Sequence, residues 1–110
     1  MGIGGTADIA AHLAKEAASL RLIGSRHPEP AFAKIEEDLF AALNDLGIGA
    51  MGSGGKISVF AVNVEYSLTH IAGIAVAMSA NCMVARRATT KIHDGGRIEI
   101  LDNPQWFQGR

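Results

Sequence analysis

The residues of this chain that could do chemistry start with its single cysteine, Cys82. It follows Asn81 and lies twelve residues after His70. One thiol can form neither a disulfide nor a complete metal site unless residues from elsewhere join it. Three uses of Cys82 therefore stay open: a buried apolar side chain, one ligand of a shared metal site, or a nucleophile with His70 as its base.

His70 ends the run Tyr66-Ser67-Leu68-Thr69-His70, and an apolar run follows it. A histidine in such surroundings is most often a buried imidazole that is hydrogen-bonded to the backbone. The same side chain could act on a substrate as an acid, a base or a hydrogen-bond donor. No acidic residue that would orient His70 can be nominated from spacing, so the residues alone leave both interpretations open.

Two glycine-rich loops could hold an anion. The first, residues 2–6, satisfies the relaxed dinucleotide pattern Gly-x-Gly-x-x-Ala through Gly2, Gly4 and Ala7. Glycines at a helix N-terminus let an anion approach backbone N–H groups. The pattern has no strand before it and no acidic residue that closes a second strand about 20 residues later. We therefore expect a plain strand-to-helix turn, with small-anion or nucleotide binding through this loop as an alternative function.

The second loop covers residues 47–55 and is followed by Lys56. A Walker A loop needs Ser or Thr and then a helix after its lysine, whereas Ile57 and a β-type segment follow here, which excludes a P-loop. Glycines before a buried strand allow close backbone packing or leave room for a ligand. Lys56 is expected at the end of that strand, either exposed or neutralising a carboxylate.

Two helices come first along the chain. Thr6 is the expected N-cap of a helix over about residues 7–20, and Gly24 ends its pattern. The apolar stripe of this helix comprises Ile9, Leu13, Ala17 and Leu20. A proline-containing loop leads to a second helix with Gly47 as its C-cap. The second stripe comprises Phe32, Ile35, Leu39, Leu43 and Leu46, and the polar side comprises Lys34, Glu36, Glu37 and Asp38.

Strands are expected after the helices. β-Branched and aromatic residues over 56–66 predict a strand that is central, because both of its faces are apolar through Val64. Residues 71–80 form another apolar run, and residues 97–101 predict a short strand after the turn Asp94-Gly95-Gly96. Helices followed by strands indicate an α+β fold, with two N-terminal helices packed on a small mixed β-sheet.

Composition limits the partners of the chain. The 110 residues are 48% hydrophobic, include 13 glycines and carry a net charge of -1. A single domain of this size with so much apolar surface is expected to be covered by partner chains or by self-association. Balanced charge argues against nucleic acid and against a membrane surface as partners, and no uninterrupted apolar run is long enough to span a bilayer. We expect a cytoplasmic protein.

A series of short motifs runs along the chain in a characteristic order. They are Gly2-Ile3-Gly4-Gly5-Thr6, Ala14-Lys15-Glu16-Ala17, Gly24-Ser25-Arg26-His27-Pro28, Gly49-Ala50-Met51-Gly52-Ser53-Gly54-Gly55-Lys56, Thr69-His70, Asn81-Cys82 ahead of Ala85-Arg86-Arg87, and Gly96-Arg97-Ile98-Glu99. Together they resemble the α subunit, or N-terminal domain, of the class I fumarate hydratase and L-tartrate dehydratase group. The resemblance extends to about Leu101, so it covers nearly the whole chain.

The resemblance implies a hydro-lyase that adds water to, or removes it from, a small dicarboxylate substrate, either malate/fumarate or tartrate/oxaloacetate. It also implies an oxygen-sensitive 4Fe-4S cluster that is held by three cysteines and binds substrate oxygens through its open iron. Cys82 matches the last of the three ligands. His70 matches a catalytic histidine that contacts the substrate, as hydrogen-bond donor to a carboxylate. The substrate cavity would be lined by Gly4, Gly5, Thr6 and Lys56.

The chain also departs from that family. A Cys-Pro-Pro motif usually stands just before the Gly-x-Gly-Gly-Thr loop, whereas this chain starts at Met1 inside the loop. The cluster is therefore expected to be shared with cysteines that are not in this chain, and the catalytic base to come from a β subunit. We expect the C-terminal portion of a larger hydro-lyase α domain, active only in a homo- or hetero-oligomer with the remaining α-subunit segment and the β subunit. The alternative is a non-catalytic, self-associating α+β remnant of that fold.

Overall fold

A computed structural model of the chain describes residues 1–82 and 88–101. Its elements are, in chain order, β1 (Gly2–Ile3), α1 (Ala7–Ser19), α2 (Pro30–Asp45), β2 (Glu65–Tyr66), β3 (Val76–Ala77), β4 (Thr90–Ile92) and β5 (Ile98–Ile100). Short 3-10 turns lie at Ala50–Gly52 and Asp94–Gly96. Two helices with small mixed sheets confirm the α+β class. Residues 85–87 of the matched motif lie outside the described residues.

β1 is the central strand of a sheet with the order β2-β1-β3. It pairs in parallel with β2 and antiparallel with β3. β1 lies within the first glycine loop and leads into α1, which confirms the expected strand-to-helix turn. Since β1 and β2 are parallel, their carboxyl ends meet at one edge of the sheet. We call this edge, formed by residues 4–6 and 67–70, the loop edge.

The strand predicted over residues 56–66 is mostly absent. Only its last two residues, β2, belong to a sheet, and β2 lies at the border of that sheet and not at its centre. The N–H groups of Ser58 and Val59 instead donate to Asn44 Oδ1 at 2.7 and 3.1 Å, and Val64 N–H donates to Glu36 Oε1 at 2.9 Å. Side chains of α2 thus take the hydrogen bonds that a neighbouring strand would supply.

α1 confirms the helix expected over about residues 7–20, but Ala17 is the one residue of its predicted stripe that is buried. Ala10, Ala14 and Ala17 are at most 1% exposed, whereas Leu20 of the predicted stripe is 68% exposed. The reason lies in β1, because a Cβ on Gly2 would stand 2.0 Å from the carbonyl oxygen of Ala10. Glycine on the strand and alanines on the helix allow the two backbones to approach more closely than larger side chains permit.

α2 confirms the second predicted helix, which ends just before Gly47 with its positive φ of 62°. The predicted polar side was wrong at Glu36, which is completely buried. The predicted apolar stripe was wrong towards its end, since Leu43 and Leu46 are exposed. The face of α2 that meets the rest of the fold therefore centres on a carboxylate.

Glu36 is satisfied by a network of donors. Its carboxylate accepts the N–H groups of His27 and Val64, both at 2.9 Å. Arg21 Nη1 lies 3.3 Å from Glu36 Oε1 and 2.9 Å from Glu65 Oε1. A buried carboxylate is tolerated when hydrogen bonds and an ion pair replace its lost water. Glu36 thereby joins α2 to the loop before it and to β2.

β4 and β5 form a separate antiparallel hairpin around the Asp94–Gly96 turn, which confirms the strand predicted after that turn. Its register pairs Ile92 with Ile98 and Lys91 with Glu99. Because side chains alternate along a strand, Ile92, Ile98 and Ile100 share one face, and all three are exposed.

Few apolar side chains are buried in the described part of the chain. Besides the three alanines of α1, the buried apolar residue is Val64. Leu68 and Ile71 beside the loop edge are 88% and 98% exposed. Apolar surface of this kind is typical of chains that other subunits cover. Within residues 1–82 and 88–101, neither helix has the length and apolarity to cross a membrane.

Candidate functional site at the loop edge

The loop edge brings the first glycine loop against the residues that follow β2. Gly4 N–H donates to Ala75 O at 2.7 Å, and Gly5 N–H donates to Leu68 O at 3.1 Å. Gly4 has a φ of 91°, and a Cβ there would stand 1.9 Å from Ser67 O. Only glycine meets both conditions. The predicted substrate-binding residues Gly4 and Gly5 therefore lie beside the segment that carries His70.

His70 lies exposed in a turn over residues 69–73. Its Nδ1 accepts the N–H of Ala72 at 3.0 Å, and its carbonyl accepts the N–H of Gly73 at 3.2 Å. Because a backbone N–H can only donate, Nδ1 holds a lone pair and the neutral ring carries its proton on Nε2. The expected backbone bond is present, whereas the expected burial was wrong. The turn presents a ring whose Nε2–H can donate to a carboxylate.

The helix N-terminus at the loop edge already holds a carboxylate of the chain itself. Thr6 occupies the N-cap position of α1, but its hydroxyl donates to the carboxylate of Asp8 and makes no capping bond. This hydroxyl, together with the backbone N–H groups of Asp8 and Ile9, lowers the pKa of Asp8. The N–H groups of Gly4 and Gly5 are also bonded. Few donors remain for a phosphate, which weakens the anion- or nucleotide-binding alternative.

The second glycine loop is closed by its own hydrogen bonds. Gly49 N–H donates to Ser58 Oγ at 3.0 Å, and Gly54 N–H donates to Ile48 O at 2.8 Å. Gly49 has a φ of 70°, and a Cβ there would stand 2.1 Å from Gly54 O, so the two sides of the loop are in backbone contact. Lys56 follows this loop and is exposed.

Asn44→Ala should open the second glycine loop. Oδ1 of Asn44 accepts the N–H groups of Ser58 and Val59 at 2.7 and 3.1 Å, and alanine removes that acceptor. A local loss of about 1–2 kcal/mol makes tryptic cleavage after Lys56 roughly tenfold faster. Mass spectrometry of timed digests measures this rate, with the neighbouring Asp45→Ala as matched control. Equal cleavage rates in the two variants would show that Asn44 does not hold the loop.

An aromatic cluster at the start of α2 was not predicted. The rings of Phe32 and Tyr66 stack with centroids 4.1 Å apart, and the His27 ring meets both edge-on at 5.1 and 5.7 Å. His27 is buried, and its Nδ1 accepts the N–H of Glu29 at 3.0 Å. The cluster ties the loop before α2 to the end of β2, next to the loop edge. No local spacing connects His27 with Tyr66 in the sequence, which is why the cluster was missed.

Titration of Tyr66 should report this packing. Its hydroxyl donates to the Glu29 carboxylate, and because that bond and the negative charge both disfavour tyrosinate, the pKa of Tyr66 is raised. The pKa of Tyr66 is higher in the folded state than in the unfolded state. The contact with Glu29 therefore stabilises the fold below pH about 10, and this contribution is lost as the pH rises through the folded-state pKa. Tyr66 is the single tyrosine, so the tyrosinate absorption band measures it alone. Glu29→Gln should lower the titration midpoint of Tyr66, and Glu37→Gln, at an exposed position, should leave it unchanged. The same midpoint in both variants would contradict the contact between Tyr66 and Glu29.

Cys82 is an exposed free thiol, so its interpretation as a buried core residue was wrong. Among residues 1–82 and 88–101, no three His, Cys, Asp or Glu side chains come together in a way that could hold a metal ion. A thiol that is exposed and outside any disulfide is available as one ligand of an iron-sulfur cluster whose other ligands come from other segments. The described residues do not hold such a cluster by themselves.

The predicted site residues fall into groups at opposite ends of the helices. The side chain of Asn81, next to Cys82, donates to Ala18 O in the last turn of α1 at 3.3 Å, whereas the loop edge adjoins the first turn. α1 has 13 residues and is therefore about 20 Å long. Lys56 lies beyond the last turn of α2, also away from the loop edge. The structure thus joins His70 to the first glycine loop, whereas the Cys82 segment contacts the other end of α1, so the two side chains are not brought together within one copy of the chain.

A family model and the curated relatives of this chain point to the same family. The family model for fumarate hydratase (Fumerase) matches residues 1–91. The putative L(+)-tartrate dehydratase subunit alpha of Methanocaldococcus jannaschii is 46% identical over 92 residues, which cover 84% of this chain and 32% of that protein. The L(+)-tartrate dehydratase subunit alpha of Escherichia coli K12 is 43% identical over 103 residues, or 94% of this chain and 34% of that protein. The chain spans about a third of the length of these relatives.

Proposed function

Because this chain belongs to the fumarate hydratase (Fumerase) family, we propose that it is part of a hydro-lyase that reversibly dehydrates a small hydroxy-dicarboxylate. The two substrate pairs are malate/fumarate and tartrate/oxaloacetate. Both relatives above are named for tartrate, which favours the second pair. The chain works together with the remaining segment of an α subunit and with a β subunit, which supplies the catalytic base.

The observation that carries this proposal is the exposed imidazole of His70 at the loop edge. Its Nε2–H donates to a substrate carboxylate, while Nδ1 stays bonded to Ala72 N–H at 3.0 Å. Gly4 and Gly5 shape the wall of the substrate cavity but donate no hydrogen bond to the substrate, because their N–H groups are bonded to backbone carbonyls. The exposed apolar side chains on both sides of His70 become part of a closed cavity once the other chains cover them.

The proposed cofactor is a 4Fe-4S cluster with Cys82 as one ligand. When bound, such a cluster supplies a Lewis acid that withdraws electrons from the hydroxyl group to be removed. The thiolate of Cys82 would hold one iron, and cysteines of the remaining α-subunit segment would hold the others. We propose a cytoplasmic location, where an exposed thiol stays reduced.

The separation of His70 from Cys82 along α1 supports a site built from two copies of the chain. A four-carbon dicarboxylate is much shorter than a helix of 13 residues, so one substrate does not reach both side chains of the same copy. We therefore include in the proposal a homo-oligomer in which His70 of one copy faces the cluster end of another. Thr6 contributes to the substrate cavity at the His70 end, and we include Lys56 as a further substrate contact.

Anaerobic reconstitution with iron and sulfide tests the proposal on the chain assembled with its α- and β-subunit partners. We expect Cys82→Ser to lose both bound iron and the dehydration of tartrate and malate. His70→Asn should keep its iron and lose about a hundredfold in kcat/KM, since it removes a donor that touches the substrate. His12→Asn, an exposed histidine on α1, is the matched control and should change neither.

Mixing the two inactive variants tests the shared site. A Cys82→Ser chain and a His70→Asn chain that assemble together should recover part of the activity, because one of the combined sites has both side chains. Absence of recovery in a verified mixed assembly would place both residues in one copy. Iron that binds in no combination would favour the non-catalytic, self-associating remnant.

A further inference from the structure

We propose that Thr69 is a positioning residue for His70: it closes the turn that keeps the imidazole proton on Nε2. The inference rests on the proposed function only for its effect on activity, because the geometry concerns the ring itself. His70 would be the residue that touches the substrate, and Thr69 would act through it.

The turn over residues 69–73 is held by three hydrogen bonds. Thr69 Oγ1 donates to Gly73 O at 2.7 Å, and Gly73 N–H donates to His70 O at 3.2 Å. Between these bonds, Ala72 N–H donates to His70 Nδ1 at 3.0 Å. The hydroxyl of Thr69 thus links the first residue of the turn to the last. The bond from Ala72 N–H to His70 Nδ1, which selects the tautomer of His70, lies between these two residues.

Packing against the described part of the chain does not hold this turn in place. His70, Ala72 and Gly73 are exposed, and Ile71 is 98% exposed. An exposed imidazole without a fixed partner samples both neutral tautomers and rotates about its side-chain bonds. The orientation of His70 therefore depends on the hydrogen bonds of the turn, and the one side chain among them besides His70 is that of Thr69.

Tautomer measurement by NMR tests the inference directly on the full chain labelled with ¹⁵N at its histidines. At mildly alkaline pH, where imidazole is neutral, His70 should show the Nε2–H tautomer alone. Thr69→Val should convert this signal into a mixture of tautomers, and Thr69→Ser, which keeps the hydroxyl, should preserve the single form. The spectrum of His70→Gln assigns the signal.

His27 is the internal reference in the same spectra. Its Nδ1 accepts Glu29 N–H at 3.0 Å, which fixes the same tautomer by a bond that is independent of Thr69. An unchanged His70 signal in Thr69→Val would overturn the proposal. A simultaneous change at His27 would overturn it as well, because the effect would then be a general loosening of the fold.

Activity provides the second readout in the assembled enzyme. Thr69→Val should lower kcat/KM about tenfold, and Thr69→Ser should restore it, since the lost interaction is worth one hydrogen bond. A tautomer change without any hydro-lyase activity in the parent assembly would refute the proposed function and leave the positioning role in place. A tautomer change with unaltered kcat/KM in Thr69→Val would refute the positioning role.

Discussion

Replacing Gly4 by alanine should lower the free energy of unfolding by about 4 kcal/mol. The new Cβ would stand 1.9 Å from Ser67 O, at a backbone φ of 91° that L-residues rarely adopt. Neither backbone can shift alone, because Gly4 N–H is bonded to Ala75 O at 2.7 Å and Ser67 N–H to Ile3 O at 2.9 Å. Urea denaturation followed by circular dichroism measures the change.

Gly24→Ala separates the two causes of this loss. Gly24 has a similar φ of 85°, but apart from its chain neighbours no heavy atom of residues 1–82 and 88–101 lies within 4 Å of a Cβ built there. Alanine at this position therefore costs only the backbone term, about 1 kcal/mol. If both variants lost the same free energy, the close approach of Gly4 to Ser67 would not exist in solution.

Glu36→Ala should be comparably destabilising, by about 3–5 kcal/mol. The substitution removes the acceptor of two backbone N–H groups, those of His27 and Val64. It also removes the carboxylate that lies 3.3 Å from Arg21 Nη1. Two N–H donors would then lie in the interior without their acceptor, and Arg21 would lose one of its two carboxylate partners while it keeps Glu65 at 2.9 Å. Thermal unfolding and urea titration both report the loss.

Glu37→Ala is the matched control for Glu36. The two glutamates are neighbours on α2, and alanine suits a helix at both positions, but Glu37 is exposed. We expect Glu37→Ala to change the free energy of unfolding by no more than about 0.5 kcal/mol. A similar small effect at Glu36 would mean that the buried network contributes nothing net to stability.

Local features of this fold were predictable because local sequence decides them. Both helices were found where apolar spacing, Gly24 and Gly47 placed them, although Pro30, expected in the loop, is the first residue of α2. The turn at Asp94–Gly96 and the strand after it were also found, since two adjacent glycines take positive φ without strain. Each of these elements depends on interactions between residues that are close in the chain.

The errors arose where distant residues meet. The stripe of α1 was assigned to Ile9, Leu13, Ala17 and Leu20, whereas the helix approaches Gly2 most closely through the backbone of Ala10 and Ala14. Glu36 was assigned to the surface because its charge fits the polar side of an isolated helix. The segment before β2 was assigned to a sheet because of its β-branched residues, although side chains of α2 bind its N–H groups. Propensity cannot reveal such partners.

The candidate site shows the same division. The types and order of the motifs were sufficient to identify the family and to nominate His70, Cys82 and the first glycine loop. Each motif is a short stretch of chain that can be recognised from its residue types alone. Only the tertiary structure decided that His70 is exposed, that Ala72 N–H selects its tautomer, and that α1 separates it from the end where Cys82 lies. The exposure of His70 and its separation from Cys82 depend on how β1, β2 and α1 pack, which spacing along the chain does not reveal. The tautomer depends on the backbone path of residues 69–73, which the residue types alone do not specify.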